Sequence, residues 1–254
     1  TAIDVGQGDG LLVTFPDGRL MLMDAGGFPP IGGRAPGIDT GEDVIAPYLW
    51  SRSIRKIDIL AMSHAQADHI GGFPSLIRIF RPTELWIGGT PDVEPWQLLY
   101  ETASRYNVQV MAMFSGAQFE YGGVRVRVLS PFDGDPPARN PNNDSLTLEL
   151  IYGHRSFLLT GDIERKAEEL LLERGVLRQV DVLKVGHHGS RTSTTEAFLE
   201  AVNPIYGIVS AGYANRFRHP HPTVVERFDS KGIPLLRTDV HGLVTISTDG
   251  DRLF

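Results

Sequence analysis

Three times in this chain a short apolar run ends directly in a cluster of titratable side chains, and this pattern constrains the fold more than any other feature. Ile57 to Met62 runs into Ser63-His64-Ala65-Gln66-Ala67-Asp68-His69-Ile70-Gly71-Gly72. Leu158-Leu159 runs into Thr160-Gly161-Asp162, and Val182 to Val185 into Gly186-His187-His188-Gly189-Ser190. Short apolar runs of this kind read as strands buried on both faces. Chemistry at the carboxyl ends of buried strands is therefore expected.

The rest of the chain supplies more strands and the helices to cover them. Leu11 to Phe15 and Leu20 to Met23 flank the turn Pro16-Asp17-Gly18, a hairpin ending at Asp24-Ala25-Gly26-Gly27. A Pro- and Gly-rich loop over 28 to 42 precedes a helix from about Asp43 to Arg52. Helical patterns at Phe73 to Phe80 and Trp96 to Tyr106 flank a strand at Leu85 to Ile87, and another strand is expected at Val108 to Met111. Val124, Val126 and Val128 alternate with Arg125 and Arg127, the pattern of a half-exposed, edge-type strand. A loop over Ser130 to Asn143 leads to a second hairpin, Leu146 to Ile151 with Phe157 to Thr160, and a helix over Glu164 to Arg174. Strands at Val182, Ile205, Leu235 and Leu243 to Ser247 alternate with helices at Thr195 to Val202 and Thr223 to Asp229. Hairpins mixed with strand–helix alternation predict sheets packed on each other and covered by helices.

Composition narrows the function classes. The 254 residues suffice for one large domain or two small ones, and 41% hydrophobic with 22% charged residues excludes intrinsic disorder. Lys+Arg minus Asp+Glu is 24 − 31 = −7, so no general basic field exists and an anionic substrate must be met locally. With no cysteine, thiolate metal sites, cysteine nucleophiles and disulfides are all excluded. No apolar run approaches the roughly 20 residues of a membrane helix. The first residue is Thr1 rather than Met, which predicts a piece of a longer protein.

A chain leaving a buried strand and turning into a helix can converge His64, Gln66, Asp68 and His69 on one point, and imidazole and carboxylate are ligands of first-row metals. The alternative is a polar capping loop. Asp162 alone reads as the N-cap of the following helix; beside the first cluster it is a carboxylate able to bridge two metals. His187 and His188 point different ways, so one can ligate while the other faces substrate. Asn140 to Ser145 is a strong turn sequence. Arg216, Arg218, His219 and His221 share a Pro-bounded loop and, with Arg191 and Lys184, form a local cationic concentration suited to an anion, or simply exposed charges. His154 and His241 receive no role.

Taken in order, Asp4-Val5-Gly6-Gln7-Gly8-Asp9, Asp24 to Gly27, His64 to Gly72, Asn143-Asp144-Ser145-Leu146, Thr160-Gly161-Asp162, Lys184 to Ser190, His219 to Pro222 and Arg237-Thr238-Asp239 resemble the C-terminal metallo-β-lactamase-like domain of the ComEC competence proteins. The resemblance covers nearly the whole length. It implies an α/β fold, an αββα sandwich formed by residues 1–254 as one hydrolase domain, with a metal site at its edge. It also implies a parent membrane protein that carries DNA inward during natural transformation, with this domain on the extracytoplasmic face degrading the strand left outside. The implied partners are DNA, single-stranded above all, the transmembrane channel domain of the same parent, and other DNA-uptake proteins.

One departure matters. The superfamily's common motif is His-x-His-x-Asp-His, and Gln66 stands where the second His would be; a third His near Asn140 to Ser145 is also absent. One metal position would then use His64, Gln66 and Asp162 with Asn143, the other Asp68, His69, Asp162 and His188. Such an oxygen-rich set favours one or two divalent ions of the Mn²⁺ type, with Zn²⁺ as the alternative. The expected chemistry is phosphodiester hydrolysis by metal-activated hydroxide. Asp68 would orient the water and accept its proton, while Lys184, Arg191, Arg216 and Arg218 hold the phosphate and His187, His219 or His221 protonates the leaving oxygen. The competing expectations are a hydrolase of small esters or phosphodiesters and a non-catalytic domain attached to a channel.

Overall fold

The computed structural model describes residues 1–29, 37–90 and 93–254; residues 30–36 of the expected loop over 28 to 42 lie outside the described residues. The first half builds β1 (Leu11–Thr14), β2 (Leu20–Met23), a π-helical turn at Thr40–Ile45 running into α1 (Ala46–Ser51), β3 (Ile59–Met62), α2 (Ala67–Ile70), α3 (Phe73–Phe80), β4 (Glu84–Ile87), α4 (Glu94–Arg105) and β5 (Gln109–Ala112). These strands form a sheet in sequence order, with β1 antiparallel to β2 and the others parallel.

The second half builds β6 (Gln118–Tyr121), β7 (Val124–Ser130), a 3-10 turn at Pro141–Asp144, β8 (Thr147–Tyr152), β9 (Arg155–Leu159), α5 (Arg165–Glu173), β10 (Val182–Lys184), a 3-10 turn at Gly186–Gly189, α6 (Glu196–Val202), β11 (Tyr206–Val209), α7 (Pro222–Ser230), β12 (Leu235–Arg237) and α8 (Thr238–His241). Its sheet runs in the order 12-11-10-9-8-7-6, antiparallel from β6 to β9 and parallel from β9 to β12.

Strand alternation sorts the apolar residues into three layers. On β2 and β3, Leu20, Leu22, Leu60 and Met62 pack against Leu49, Phe73, Leu76 and Leu99 of the first helices. Their neighbours Met21, Met23, Ile59 and Ala61 face the second sheet, meeting Val126, Leu148, Leu150 and Val182. On the far side Leu158, Leu183 and Val209 pack against Leu171, Phe198, Val224 and Phe228 of α5, α6 and α7. Helix, sheet, sheet, helix is the αββα sandwich that was expected.

Local expectations were corrected in three places. β7 is an interior strand, since β6, which the sequence reading missed, pairs along its outer side. Its alternating arginines mark a polar face: Arg127 pairs with Glu149 of β8 across that face. Leu243 to Ser247 is no strand but is tied down by a bridge between Val244 and Ala2. Asp162 does not cap α5, whose capping position is Glu164. No helix among the described residues is long and apolar enough to cross a membrane.

Candidate metal centre

The carboxyl ends of β2, β3, β9, β10 and β11 meet at one end of the sandwich, where they deliver Asp24, His64, Asp162, His188 and Ser210. The one-turn helix α2 then brings His69 back beside His64, with ring centroids 4.2 Å apart. The backbone is forced to achieve this. Asp24, His187 and His188 all adopt left-handed φ values of 59°, 45° and 52°, unfavourable for residues with a Cβ and typical of functional turns. Gly8, at φ +122°, lets the loop carrying Asp9 lie on the Asp68 carbonyl, where a Cβ would come within 2.1 Å of the oxygen.

Asp162 is the convergence point. Its Oδ2 lies 3.2 Å from His69 Nε2, 3.3 Å from His188 Nε2 and 3.8 Å from His187 Nε2. Each of the two buried imidazoles is held from behind through Nδ1. His69 Nδ1 is 2.8 Å from Asp24 Oδ2, and His188 Nδ1 is 3.0 Å from the Ser210 carbonyl and 3.3 Å from Asp9 Oδ1. His64 Nδ1 meets Ser63 Oγ at 3.0 Å. Carboxylate or carbonyl behind the ring and Nε2 in front is how proteins aim histidine at a metal. His64 Nε2, His69 Nε2, His188 Nε2 and Asp162 Oδ1 are all buried and make no hydrogen bond among the described residues.

The electrostatics agree. Burial pulls His69 and His188 down, but Asp162 together with Asp24 and Asp9 outweighs it and holds both well above the usual imidazole range. Burial would raise Asp162 and Asp68, but the same imidazoles hold both carboxyls below the ordinary range. His64, buried beside a charged His69, is pushed down to about 3 and is neutral. Protons on His69 and His188 thus supply the positive charge that the buried carboxylates demand.

Four overlapping sets of donor atoms can each hold a cation: His64, His69 and Asp162; Asp68, His69 and His188; Asp9, Asp162 and His188; and Asp9, Asp24 and His69. The first two do so without Asp9 and Asp24, which stand behind the rings. Nitrogen and carboxylate oxygen donors, buried and unsatisfied, fit a divalent first-row ion. The chain matches the metallo-beta-lactamase superfamily over residues 3–213. The chain belongs to the metallo-β-lactamase superfamily. It is 34% identical to ComE operon protein 3 of Bacillus subtilis (strain 168) over 249 residues, 95% of this chain and 32% of that protein. It is 35% identical to competence protein ComA of Neisseria gonorrhoeae over 243 residues, 95% of this chain and 31% of that one. The chain thus spans about a third of the length of these curated relatives. Among solved structures it is similar to Igni18, a metallo hydrolase of Ignicoccus hospitalis, with TM-score 0.56, 12% identity and 93% of each chain covered. It is also similar to the diiron β-hydroxylase CmlA of Streptomyces venezuelae, with TM-score 0.53, 17% identity, and 91% of this chain and 53% of that one covered. These likenesses show the superfamily fold.

Several residues expected at the site sit elsewhere. Lys184 is buried, its Nζ 2.6 Å from Asp9 Oδ2, so it balances an internal charge and does not reach a substrate. Asn143 Oδ1 accepts the backbone N–H groups of Glu164 and Ala167 at 3.1 and 3.3 Å; its one ligand atom is spent capping α5. His221 caps α7, its Nδ1 accepting the Thr223 N–H at 3.3 Å and meeting Thr223 Oγ1 at 2.9 Å. Gln66 is held by Asn142: its Nε2 donates to Asn142 Oδ1 at 2.6 Å, and Asn142 Nδ2 donates to Glu164 Oε1 at 3.1 Å. His187 leans on that same Glu164, Nδ1 to Oε1 at 3.0 Å.

His219 does join the cluster, its ring centroid 5.6 Å from that of His187 and 6.4 Å from that of His188. Burial, reinforced by the charged His188, holds it at about 4. Phe217 stacks on His219, and Arg216 lies over Phe217, which connects the exposed end of this loop to the centre. The sequence reading assigned no site role to Asp9, Asp24 or Glu164, although Asp24 follows an apolar strand directly, as Asp162 nearly does.

Proposed function

We propose that this chain is a metal-dependent phosphodiesterase acting on DNA, and that it degrades the strand left outside during DNA uptake. The observation that carries the reading is the convergence of His64, His69 and His188 on Asp162, with their Nε2 atoms buried and unsatisfied. The choice of DNA over a small ester is supported by the similarity to proteins named for competence, extending over almost the whole chain.

His69, His188 and Asp162, with His64 and Asp68, would hold the metal; when bound, a divalent ion supplies Lewis acidity and a nucleophile at neutral pH. Asp68 is the partly exposed carboxylate of the set, its Oδ2 3.7 Å from His188 Nε2. Held anionic by the imidazoles, it orients an attacking water and accepts its proton. His187, half-buried between Asp162 and Glu164, is the side chain placed to donate a proton to a leaving oxygen. Arg191, Arg216 and Arg218 are exposed and bind phosphate oxygens.

The carboxylates of Asp68 and Asp162 suit Mn²⁺ as well as Zn²⁺, and Gln66, tied to Asn142, is not counted among the donors. The domain would work on the extracytoplasmic side of the membrane, attached to the channel-forming part of its parent and beside other uptake proteins. The test is degradation of a linear single-stranded DNA with added Mn²⁺, Zn²⁺ or EDTA. Mn²⁺-dependent cleavage, lost in EDTA, is expected, and Gln66→His, which breaks the contact to Asn142 without touching a donor, should leave the ion preference unchanged. No cleavage with either ion by a protein that binds it would overturn the reading.

A further inference from the structure

Beside the centre lies a cleft of about 980 Å³, bounded by the 130–144 loop, the start of α5 and the turn at Arg191. This is the upper end of the range of about 300–1,000 Å³ for small-molecule sites. Four of its lining residues are cations, Arg139, Arg165, Lys166 and Arg191, and all four are exposed. In a protein of net charge −7 this concentration is the reverse of the average surface.

The carboxylates in the same cleft do not neutralise them. Asp135 is taken by Arg174, Glu164 by His187 and Asn142, and Asp144 accepts the Ala138 N–H at 2.8 Å. No ion pair to Arg139, Arg165, Lys166 or Arg191 occurs among the described residues. Two of the four, Arg165 and Lys166, open the first turn of α5, where the helix dipole disfavours positive charge and acidic residues are the rule. An anion lying in the cleft would relieve that conflict.

The lining also carries apolar side chains, Pro131, Phe132, Pro136 and Leu170, with the Arg174 guanidinium over the Phe132 ring. Cations mixed with apolar and aromatic surface suit a single strand, whose phosphates and base faces are both available; a duplex hides its base faces. The cleft also leads to the chemistry. Glu164 lines it, and through its contact with His187 it stands one side chain away from Asp162.

We infer that this cleft is a subsite for single-stranded DNA, gripping the nucleotides on one side of the scissile phosphate through Arg139, Arg165, Lys166 and Arg191. The inference rests on the phosphodiesterase reading for its position relative to the cut, but strand binding itself can be measured without catalysis. The sequence hides the cleft because its cations come from three separate segments.

The test is fluorescence anisotropy of the whole chain with a 5′-labelled 20-nucleotide oligothymidylate in EDTA, over a range of salt. The double substitution Arg139→Ala with Lys166→Ala should weaken binding about tenfold near 0.1 M salt. It should also reduce the slope of log K against log[salt] by about 1.4, that is 2 × 0.7 for a single strand. The charge-preserving pair Arg139→Lys with Lys166→Arg should keep the slope, which separates charge from folding, and Arg55→Ala, at the amino end of β3, should change nothing. Unchanged affinity and slope in the alanine pair would overturn the cleft while leaving Mn²⁺-dependent cleavage as it stands. Binding that weakens as expected in a protein that cleaves nothing would overturn the phosphodiesterase reading and keep the cleft. Equal affinity for a duplex of the same length would overturn the single-strand assignment.

Discussion

The two buried imidazoles that face Asp162 are held by the same device, but the two halves of the sandwich build it with different charge. On the first sheet, Asp24 stands behind His69 with no cation of its own, and burial raises its carboxyl despite the opposing pull of His69. Behind His188 of the second sheet stands Asp9, brought over by the loop that precedes β1 and itself paired with Lys184 of β10; burial would raise it, but Lys184 and His188 hold it at about 2. The first arm is a pair whose charge depends on the proton of His69. The second is a triad in which Lys184, the larger of the two influences, holds Asp9 ionised beside His188. A site built this way has a countercharge of its own on one side and none on the other.

The largest effect should come where the arms meet. Asp162→Ala removes the carboxylate that both imidazoles face, and is expected to lower the proposed DNA hydrolysis on the order of 10³-fold or more and to abolish retained metal. Metal analysis of the purified variant, read beside its circular dichroism, checks this. A variant that keeps its metal and its rate would mean that the arms do not converge functionally.

Next come substitutions that separate the arms. Lys184→Met leaves Asp9 buried without its countercharge, so the metal-free protein should lose about 3–5 kcal/mol in urea unfolding. Asp24→Asn keeps an oxygen to accept the Ser63 N–H and removes one of the two carboxylates that hold the His69 proton, leaving Asp162 to balance it. It should cost less than about 1.5 kcal/mol in stability, yet weaken metal binding about 10–100-fold by freeing His69. Equal stability losses for the two variants would dissolve the distinction between pair and triad.

Protons distinguish the arms from their neighbours. His69 and His188 titrate above the unfolded value of about 6.5, so their stabilising contribution is complete below that pH and is lost as pH rises through their folded values. His64 at about 3 and His219 at about 4 act oppositely, contributing above pH 6.5 and losing that contribution as pH falls. The metal-free protein should therefore melt highest near pH 6.5. Each uncompensated proton is worth about 1.4 kcal/mol per pH unit. Because Mn²⁺ competes with the protons on His69 and His188, its stabilising effect should grow as pH rises. A melting temperature of the metal-free protein that climbs steadily to pH 8 would contradict the raised histidines.

The same comparison explains what was legible in the sequence. His64, His69, Asp162 and His188 could be picked out because apolar strands lead into them, and strand order alone brings such ends together. Asp9 could not, since in Val5-Gly6-Gln7-Gly8-Asp9 it follows glycines and reads as a turn acid. Lys184 was misread for the complementary reason: a lysine after a strand resembles an exposed cation. Flanked by Leu183 and Val185 and fully buried, it exists to balance Asp9, a partner 175 positions away by number, 184 − 9. Charge pairing across that separation leaves no local trace. Arg139, Arg165 and Lys166 were overlooked because a cleft wall is assembled from segments whose local chemistry is ordinary. The alternation in β7 was correctly read as one polar face and wrongly as an edge, because period-2 pattern reports faces and not neighbours.

The smallest expected effect concerns Asn143, which separates ligand from cap. Its only ligand atom accepts the N–H groups of Glu164 and Ala167, so Asn143→Ala should behave as the loss of a helix cap and cost about 0.5–2 kcal/mol in urea unfolding. Metal affinity should stay unchanged, because Asn143 Oδ1 is occupied by those two N–H groups. Asn143→Asp keeps the acceptor and adds charge at the start of α5, where the dipole favours it, so the cap should be restored or improved. If Asn143→Ala instead released metal at unchanged stability, the donor set would extend past the two arms into the 140–145 loop, and the sandwich would build its centre from three segments of the second sheet.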